Sequence, residues 1–548
     1  MSECHWKRIL VVEDRADQRE HILLRLTQAE YEPLPAADFA TARHLLQNEH
    51  FHLGIFDINL NDPDHLGGNE LGLELLKDVA ELNLGGIFPV VFLSNFLTRE
   101  RLLRMFREIN QVTPWFPLER KQLQQPPPPE LLKEVKRFFD EYLKINFEIA
   151  YDPESRAALG HCAAQLAERE ARMPSAARLE WQLKDILGKL FPDASELVLR
   201  ELNQGFSGAV VLEVRPMLGD LLAKPLVVKV SRRDKIQTEV RNYERYVKPL
   251  LMTDATSHMD RGPAYSQHLG GIAYTSAFIE SDAARDLDHF WREHSAAECI
   301  HALEQLFRTL APWFDTRSRK RPRNVRELYV KAFDLEKDTT RLPNAIRATH
   351  PDWDWDAPRL WFDPPSRLLP NPLLWFQQGD ARATAAESIT HGDLHTRNVM
   401  MNPRGQAWLI DFYRTGPSHL LRDLVILETD LKFRCLEEIP LTLFCEIEAL
   451  LISVSPRYVH PRIELELSSQ AEKIVKMLLT IRRQVWKLIG STRPAARHDA
   501  EREFEMSLLT ATLNVTRLAH FVNDSALRPR LHWAILSAAL LCERLEYA

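Results

Sequence analysis

From Arg8 onward the chain alternates short apolar runs with amphipathic stretches: ILVV, then 20–29, HLGIF, then 71–82, PVVFLS, then 99–109. Buried strands are near-continuous apolar runs, and surface helices repeat apolar positions every three or four residues. The alternation therefore predicts βαβ units that build a parallel sheet with helices on both faces. Residues 1–145 are expected to form a doubly wound, flavodoxin-like α/β domain. Pro126 to Pro129 enforce an extended connector, because proline donates no N–H and disfavours helix in the residue before it; a helix over 130–143 is predicted to follow.

Residues 155–190 are rich in Ala, Glu, Arg and Leu at helical spacing, with one break near Pro174, and predict a helical linker over 146–195. ELVLREL, GAVVLEVRP and PLVVKV predict three strands, followed by a helix over 235–250 and a strand pair at 264–269 and 272–279. An antiparallel β lobe over 196–282 results. From Ala296 the periodicity is helical, apart from a Trp- and Pro-rich insertion over 351–377 and short strands flanking His391. A second lobe over 283–435 is expected, then a helical part over 436–548 whose stripe of Ile474, Met477, Leu478, Ile481, Val485 and Leu488 packs as a bundle. The fold class is multidomain, α/β followed by α+β.

With 548 residues, 45% hydrophobic and 27% charged, the chain can fill about three cores. A net charge of -7 argues against a nucleic-acid-coating surface, and the basic stretch Arg317 to Arg326 is expected as a solvated loop. Six scattered cysteines show no zinc spacing and are expected as free thiols. Charge at Glu3, Lys7 and Arg8 leaves no signal-peptide core, and the apolar run 533–542 is too short to span a bilayer. A cytoplasmic protein without membrane contact is expected.

Candidate chemistry begins at strand ends. Glu13 and Asp14 close the first predicted strand, Asp57 the third and Ser94 the fourth, and a fifth around Trp115 reaches Lys121. In a parallel sheet these ends share one crevice. Three carboxylates suit Mg²⁺, Asp57 can attack a phosphoryl donor, and the Ser94 hydroxyl and Lys121 ammonium can bind the phosphate oxygens. Acidic residues at strand ends can also simply cap the next helix, but four suitable residues in order favour a site. VVED, FDINL, FLSN and Lys121 resemble the receiver domains of response regulators over residues 7 to about 143. The resemblance implies Asp57 as phosphoacceptor, Glu13, Asp14 and Asp57 as metal ligands, Ser94 and Lys121 as switch residues, and a histidine kinase or small phosphodonor upstream. Lys121 departs from the pattern, since no proline follows it.

Further on, QGFSGAVVLEV places Gly205, Ser207 and Gly208 in a turn whose backbone N–H groups can approach phosphate, although a plain hairpin would look the same. Lys229 inside VVKV is costly without an anionic partner; Glu239 or Glu244 could pair with it, and Glu239 is preferred. ITHGDLHTRNVMM and WLIDFYRTG set Asp393 five residues before Asn398, so one can accept a hydroxyl proton while the other holds Mg²⁺, with Asp411 as a second ligand. His391 and His395 are expected to hold the loop, and Asp423 to anchor it.

These motifs resemble the aminoglycoside phosphotransferase and choline kinase superfamily, a two-lobed variant of the protein kinase fold, over residues 197 to about 435. The resemblance implies ATP as donor, Asp393 as catalytic base, Asn398 and Asp411 as Mg²⁺ ligands, Lys229 as phosphate anchor, and Phe278 to Glu280 as the adenine hinge. Tyr413 stands where a protein kinase carries glycine. The expected protein is a phosphotransferase regulated through Asp57, its acceptor a hydroxyl of an unidentified small molecule or protein. Two alternatives stay open: a nucleotide-binding pseudokinase adaptor, and a receiver that serves only as a platform for a homodimer.

Overall fold

The computed structural model describes residues 6–60, 71–81, 88–94, 115–119, 129–169, 173–202, 209–251, 258–259, 261–275, 285–402, 405–454, 461–490 and 493–547. Five apolar segments pair in parallel: β1 (Arg8–Val12), β2 (Glu32–Ala36), β3 (Leu53–Asp57), β4 (Val90–Ser94) and β5 (Trp115–Glu119), in the order β2-β1-β3-β4-β5. The order reverses at β1, which opens a crevice at the carboxyl ends of β1 and β3. Every residue of β1 and β3 is buried because helices cover both faces. Phe56 and Phe92 pack with α2 (Phe39–Asn48) and α3 (Leu71–Glu81). Ile55 and Val91 pack with α1 (Ala16–Gln28) and α4 (Pro129–Arg137).

Next come α5 (Pro153–Arg169) and α6 (Ala176–Leu190). They lead into a seven-stranded sheet of β6 (Glu196–Glu201), β7 (Val210–Leu218), β8 (Leu221–Leu222), β9 (Leu226–Arg232), β10 (His258–Met259), β11 (Ala264–Tyr265) and β12 (Leu269–Thr275). The backbone of that sheet runs β10-β12-β9-β7-β6, with all its ladders antiparallel. The expected helical linker proves to be part of this lobe. Leu159, Cys162, Leu183 and Ile186 share one core with Leu197, Leu212 and Val228, because an apolar helix face of this length is stable only when covered. Gly271 permits the approach: a Cβ there would sit 2.4 Å from the Ile186 side chain.

The chain divides into two compact units, Met1–Gln237 with His258–Ser276, and Thr238–Ser257 with Ala277–Ala548. The helix α7 (Arg233–Asn242) spans the division. The second unit contains β13 (Arg285–Asp286), α8 (Leu287–Glu293), α9 (Ala296–Asp315), β14 (Arg321–Asn324), α10 (Val325–Ala332) and α11 (Arg341–Thr349). The Trp- and Pro-rich insertion forms a hairpin of β15 (Arg359–Phe362) and β16 (Arg367–Pro370), followed by α12 (Pro372–Gln378) and β17 (Arg382–Ala385). Then come β18 (Glu387–Thr390), β19 (Val399–Met401), β20 (Ala407–Leu409), β21 (Gly416–His419) and α13 (Arg422–Asp430). The remaining helices are α14 (Leu441–Ser453), α15 (Ser469–Ile489), α16 (Pro494–Val515), α17 (Ala519–Asn523) and α18 (Arg530–Tyr547); α15 packs on α9 and α16 on α18. Among the described residues no helix is long and apolar enough to cross a membrane.

Because α6 belongs to the lobe core, Leu183→Ala should lower stability by about 2–5 kcal/mol in denaturant unfolding. A helix that merely linked two domains would lose less than about 0.5 kcal/mol at such a position.

Candidate functional site

Glu13 and Asp14 directly follow β1, and Asp57 ends β3. The two strands are parallel neighbours with Val12 opposite Phe56, so their ends deliver these acids to one place. One carboxylate oxygen from each of Glu13, Asp14 and Asp57 lies within 4.8 Å of the others. Glu13 and Asp57 are buried and Asp14 is half-buried. Arg19 reaches back from α1 and donates to the carbonyls of Glu13 (2.7 Å) and Asp14 (3.2 Å), which fixes the loop. Asp57 accepts the Asn59 N–H at 3.2 Å.

The N-cap of α1 is Arg15, whose N–H donates to the Glu13 carboxylate at 3.2 Å. Like charges this close repel, and a hard divalent cation such as Mg²⁺ fits an all-oxygen set of this kind. Gly72, in the first turn of α3, lets that helix abut Asp57: a Cβ would fall 1.8 Å from the Asp57 carbonyl oxygen. Ser94 closes β4 beside β3, at the same carboxyl end of the sheet. Lys121 lies outside the described residues.

In the second unit, β18 leads into His391, Gly392 and Asp393. Gly392 has φ +82°, and a Cβ there would lie 2.3 Å from the Arg414 carbonyl oxygen, so only glycine fits. Asp423, in the first turn of α13, accepts the N–H groups of His391 (2.7 Å) and Gly392 (2.8 Å), which is the anchoring role expected of it. Burial pushes the Asp423 carboxyl above the usual carboxylate range, against the pull of His391 and the two amides. His391 Nε2 lies 2.9 Å from the Ile410 carbonyl, where it holds the loop.

The Asn398 side chain donates to the Asp393 carbonyl at 2.8 Å, and the Ile410 N–H donates to the Asn398 carbonyl at 3.2 Å. Asp393, Asn398 and the segment entering Asp411 are thereby fixed to one another. Asp411 has φ +67°, a left-handed conformation that is uncommon for a residue with a Cβ and that concentrates at functional sites. The next residue is clamped: Phe412 N–H donates to Glu239 at 3.2 Å, and Asn242 donates to the carbonyls of Phe412 (3.2 Å) and Tyr413 (2.7 Å). Glu239 is buried and also holds this amide. Lys229 is a buried residue of β9, opposite Ile272 and Val211. Gly205, Ser207, Gly208, Phe278 and Glu280 lie outside the described residues.

The sequence did not reveal a second anchor. Asp430, at the end of α13, accepts both the N–H and the hydroxyl of Thr396 at 2.8 Å, between Asp393 and Asn398. Arg434 bonds Asp430 at 2.6 Å and Asp288 at 2.8 Å, and also donates to the Thr396 hydroxyl. Burial opposes ionisation of Asp430, but the Arg434 guanidinium outweighs it and holds the carboxyl below its usual range. Asp288 behaves alike: burial is overcome by Arg434 and Arg292, and its pKa falls to about 2. The available signal was an acid inside the apolar run DLVILETDLKF with Arg434 four residues later.

The family described as "Ternary complex associated domain 9" matches residues 194–347 and 333–506. The chain belongs to that family. The matched region starts just before β6 and takes in the loop of Asp393, Asn398 and Asp411, while the acidic crevice lies ahead of it. No curated protein matches the chain.

The N-terminal quarter is similar to solved CheY-like receiver domains. One from Methanospirillum hungatei JF-1 is 26% identical, with 25% of this chain and 98% of that chain covered and a TM-score of 0.21. CheY4 of Vibrio cholerae is 25% identical, with 24% of this chain and 98% of that chain covered and a TM-score of 0.20. The receiver domain of Klebsiella pneumoniae RstA is 19% identical, with 24% of this chain and 95% of that chain covered and a TM-score of 0.19.

The Asp288 shift sets a pH dependence. A carboxyl whose folded pKa is depressed stabilises the fold above its unfolded pKa, and loses that contribution as pH falls through the folded value. Between pH 4 and pH 2 the wild type should therefore lose about 2 kcal/mol from this group, and Asp288→Asn should flatten that part of a pH series of unfolding midpoints.

Proposed function

We propose that the chain is a two-component-type signalling protein in which Asp57 accepts a phosphoryl group and thereby controls an ATP- and Mg²⁺-dependent phosphotransferase centred on Asp393. The observation that carries this reading is the convergence of Glu13, Asp14 and Asp57 at the ends of two parallel strands. Glu13 and Asp14 would hold a divalent cation with Asp57, and the cation would neutralise charge on the incoming phosphoryl group. A carboxylate oxygen of Asp57 would attack phosphorus as the donor bond breaks, the P–N bond of a histidine kinase's phosphohistidine, releasing its imidazole, or the P–O bond of a small acyl phosphate, releasing its carboxylate. Ser94 and Lys121 would bind the new phosphate oxygens.

In the second unit the loop fixed by Asp423 supports Asp393 as the base that takes the proton of an acceptor hydroxyl. Asn398 and Asp411 would be the Mg²⁺ ligands, and Lys229 would anchor the nucleotide phosphates. The acceptor is a small-molecule or protein hydroxyl.

A second reading, an adaptor that binds nucleotide without transferring phosphate, draws support from the printed description of the matched family as a domain associated with a ternary complex.

Two measurements separate the readings. Labelled acetyl phosphate should mark the wild type and not Asp57→Asn. ATP consumption in the presence of a panel of amines, sugars and protein acceptors should fall at least ~10²-fold in Asp393→Ala. Nucleotide binding without turnover by any acceptor would favour the adaptor.

A further inference from the structure

The helix α6 carries two buried stripes. Leu179, Leu183, Ile186 and Leu190 enter the lobe core, while Arg178, Gln182, Asp185 and Lys189 form a polar row at helical spacing beside them. This row joins two distant segments of the first unit. Arg178 donates to the carbonyls of Leu46 (3.0 Å) and Gln47, in the last turn of α2 where no intrahelical donor is left, and to the Gln267 side chain at 2.6 Å. Asp185 sits 2.7 Å from His50 Nε2 and 2.9 Å from His52 Nε2. On the other side, Gln182 accepts the Ser266 hydroxyl (3.0 Å) and the His268 N–H (2.7 Å), and Lys189 donates to the Tyr265 carbonyl at 2.6 Å.

Two histidines and a carboxylate within 4.8 Å invite a metal reading, which one bond contradicts. The Arg8 backbone N–H donates to His52 Nδ1 at 3.0 Å, so the proton of that ring is on Nε2, facing Asp185. A histidine that binds metal through one nitrogen carries its proton on the other. The cluster is therefore held by hydrogen bonds: a buried carboxylate that accepts from two imidazole N–H groups. Burial keeps His50 neutral, with a pKa lowered to about 4 against the pull of Asp185.

We infer that this polar row is the joint through which the state of Asp57 reaches the β lobe. The inference rests on the acceptor reading of Asp57. His52 immediately precedes β3, the strand that ends in Asp57, and His268 immediately precedes β12, whose Ile272 lies opposite Lys229. Hydrogen bonds weaken steeply with misalignment, and a buried carboxylate that loses its donors is costly. A displacement of β3 is thus passed to α6 and the 265–268 turn rather than absorbed. Among the described residues His50 Nδ1 has no hydrogen-bond partner, and His50 lines a small cavity with Phe88, Leu143 and Ser266, which gives the ring room for a second arrangement.

Hydrogen exchange of the full chain, with and without acetyl phosphate and Mg²⁺, tests the joint. In the wild type the treatment should alter exchange both in the crevice around 13–19 and in β12, by about threefold or more in each. Asp57→Asn should lose both responses. Asp185→Asn, and His50→Gln as a milder change, should keep the crevice response and lose the one in β12. A β12 response preserved in both variants overturns the joint, as does a wild type in which the crevice responds and β12 does not. Silence at the crevice itself overturns the acceptor reading and this inference with it.

Discussion

A carboxylate taken out of water must find donors or give up its charge, and the loop of Asp393 and Asn398 is held by carboxylates that have found them. Asp423 collects the amides of His391 and Gly392, and Asp430 collects the amide and hydroxyl of Thr396. Between them they determine where Asp393 and Asn398 stand. Because each anchor would be strongly destabilising if left unpaired, the loop has little freedom to relax away from its geometry. The cost of burying Asp430 is offset by Arg434, which also engages Asp288, so one buried cation serves two acids at once. The expected consequence is preorganisation: donors and acceptors fixed before any ligand arrives, the condition under which electrostatic catalysis is most effective.

The first unit applies the same constraint differently. Its parallel sheet brings three acids together at the ends of β1 and β3, where like charges repel and a bound divalent cation would relieve the repulsion. Arg19 bonds the carbonyls of Glu13 and Asp14. It shapes the crevice through the backbone.

Much of this was legible in the sequence, because the signals were local. An apolar run that ends in acid, VVED or FDINL, marks a strand end, and HGDLHTRN followed by IDF keeps its candidate residues within one loop and one short hairpin. Asp423 could be read as an anchor from its place just beyond that hairpin. What escaped was non-local. Arg178, Gln182, Asp185 and Lys189 recur as polar residues on an exposed helix would, so α6 looked like a linker; their partners lie as far as 135 residues away, at His50. Asp430 carried no motif of its own. The contact of Glu239 with the Phe412 amide, 173 residues away, was likewise beyond what residue type could indicate.

The proposed function requires two separate divalent-cation sites, one in each unit. Counting bound Mn²⁺ by electron paramagnetic resonance tests it most directly. The account predicts one site that fills without nucleotide and disappears in Asp14→Asn, and a second that fills only with an ATP analogue and disappears in Asp411→Asn. A single class of site, or binding indifferent to both substitutions, would contradict it.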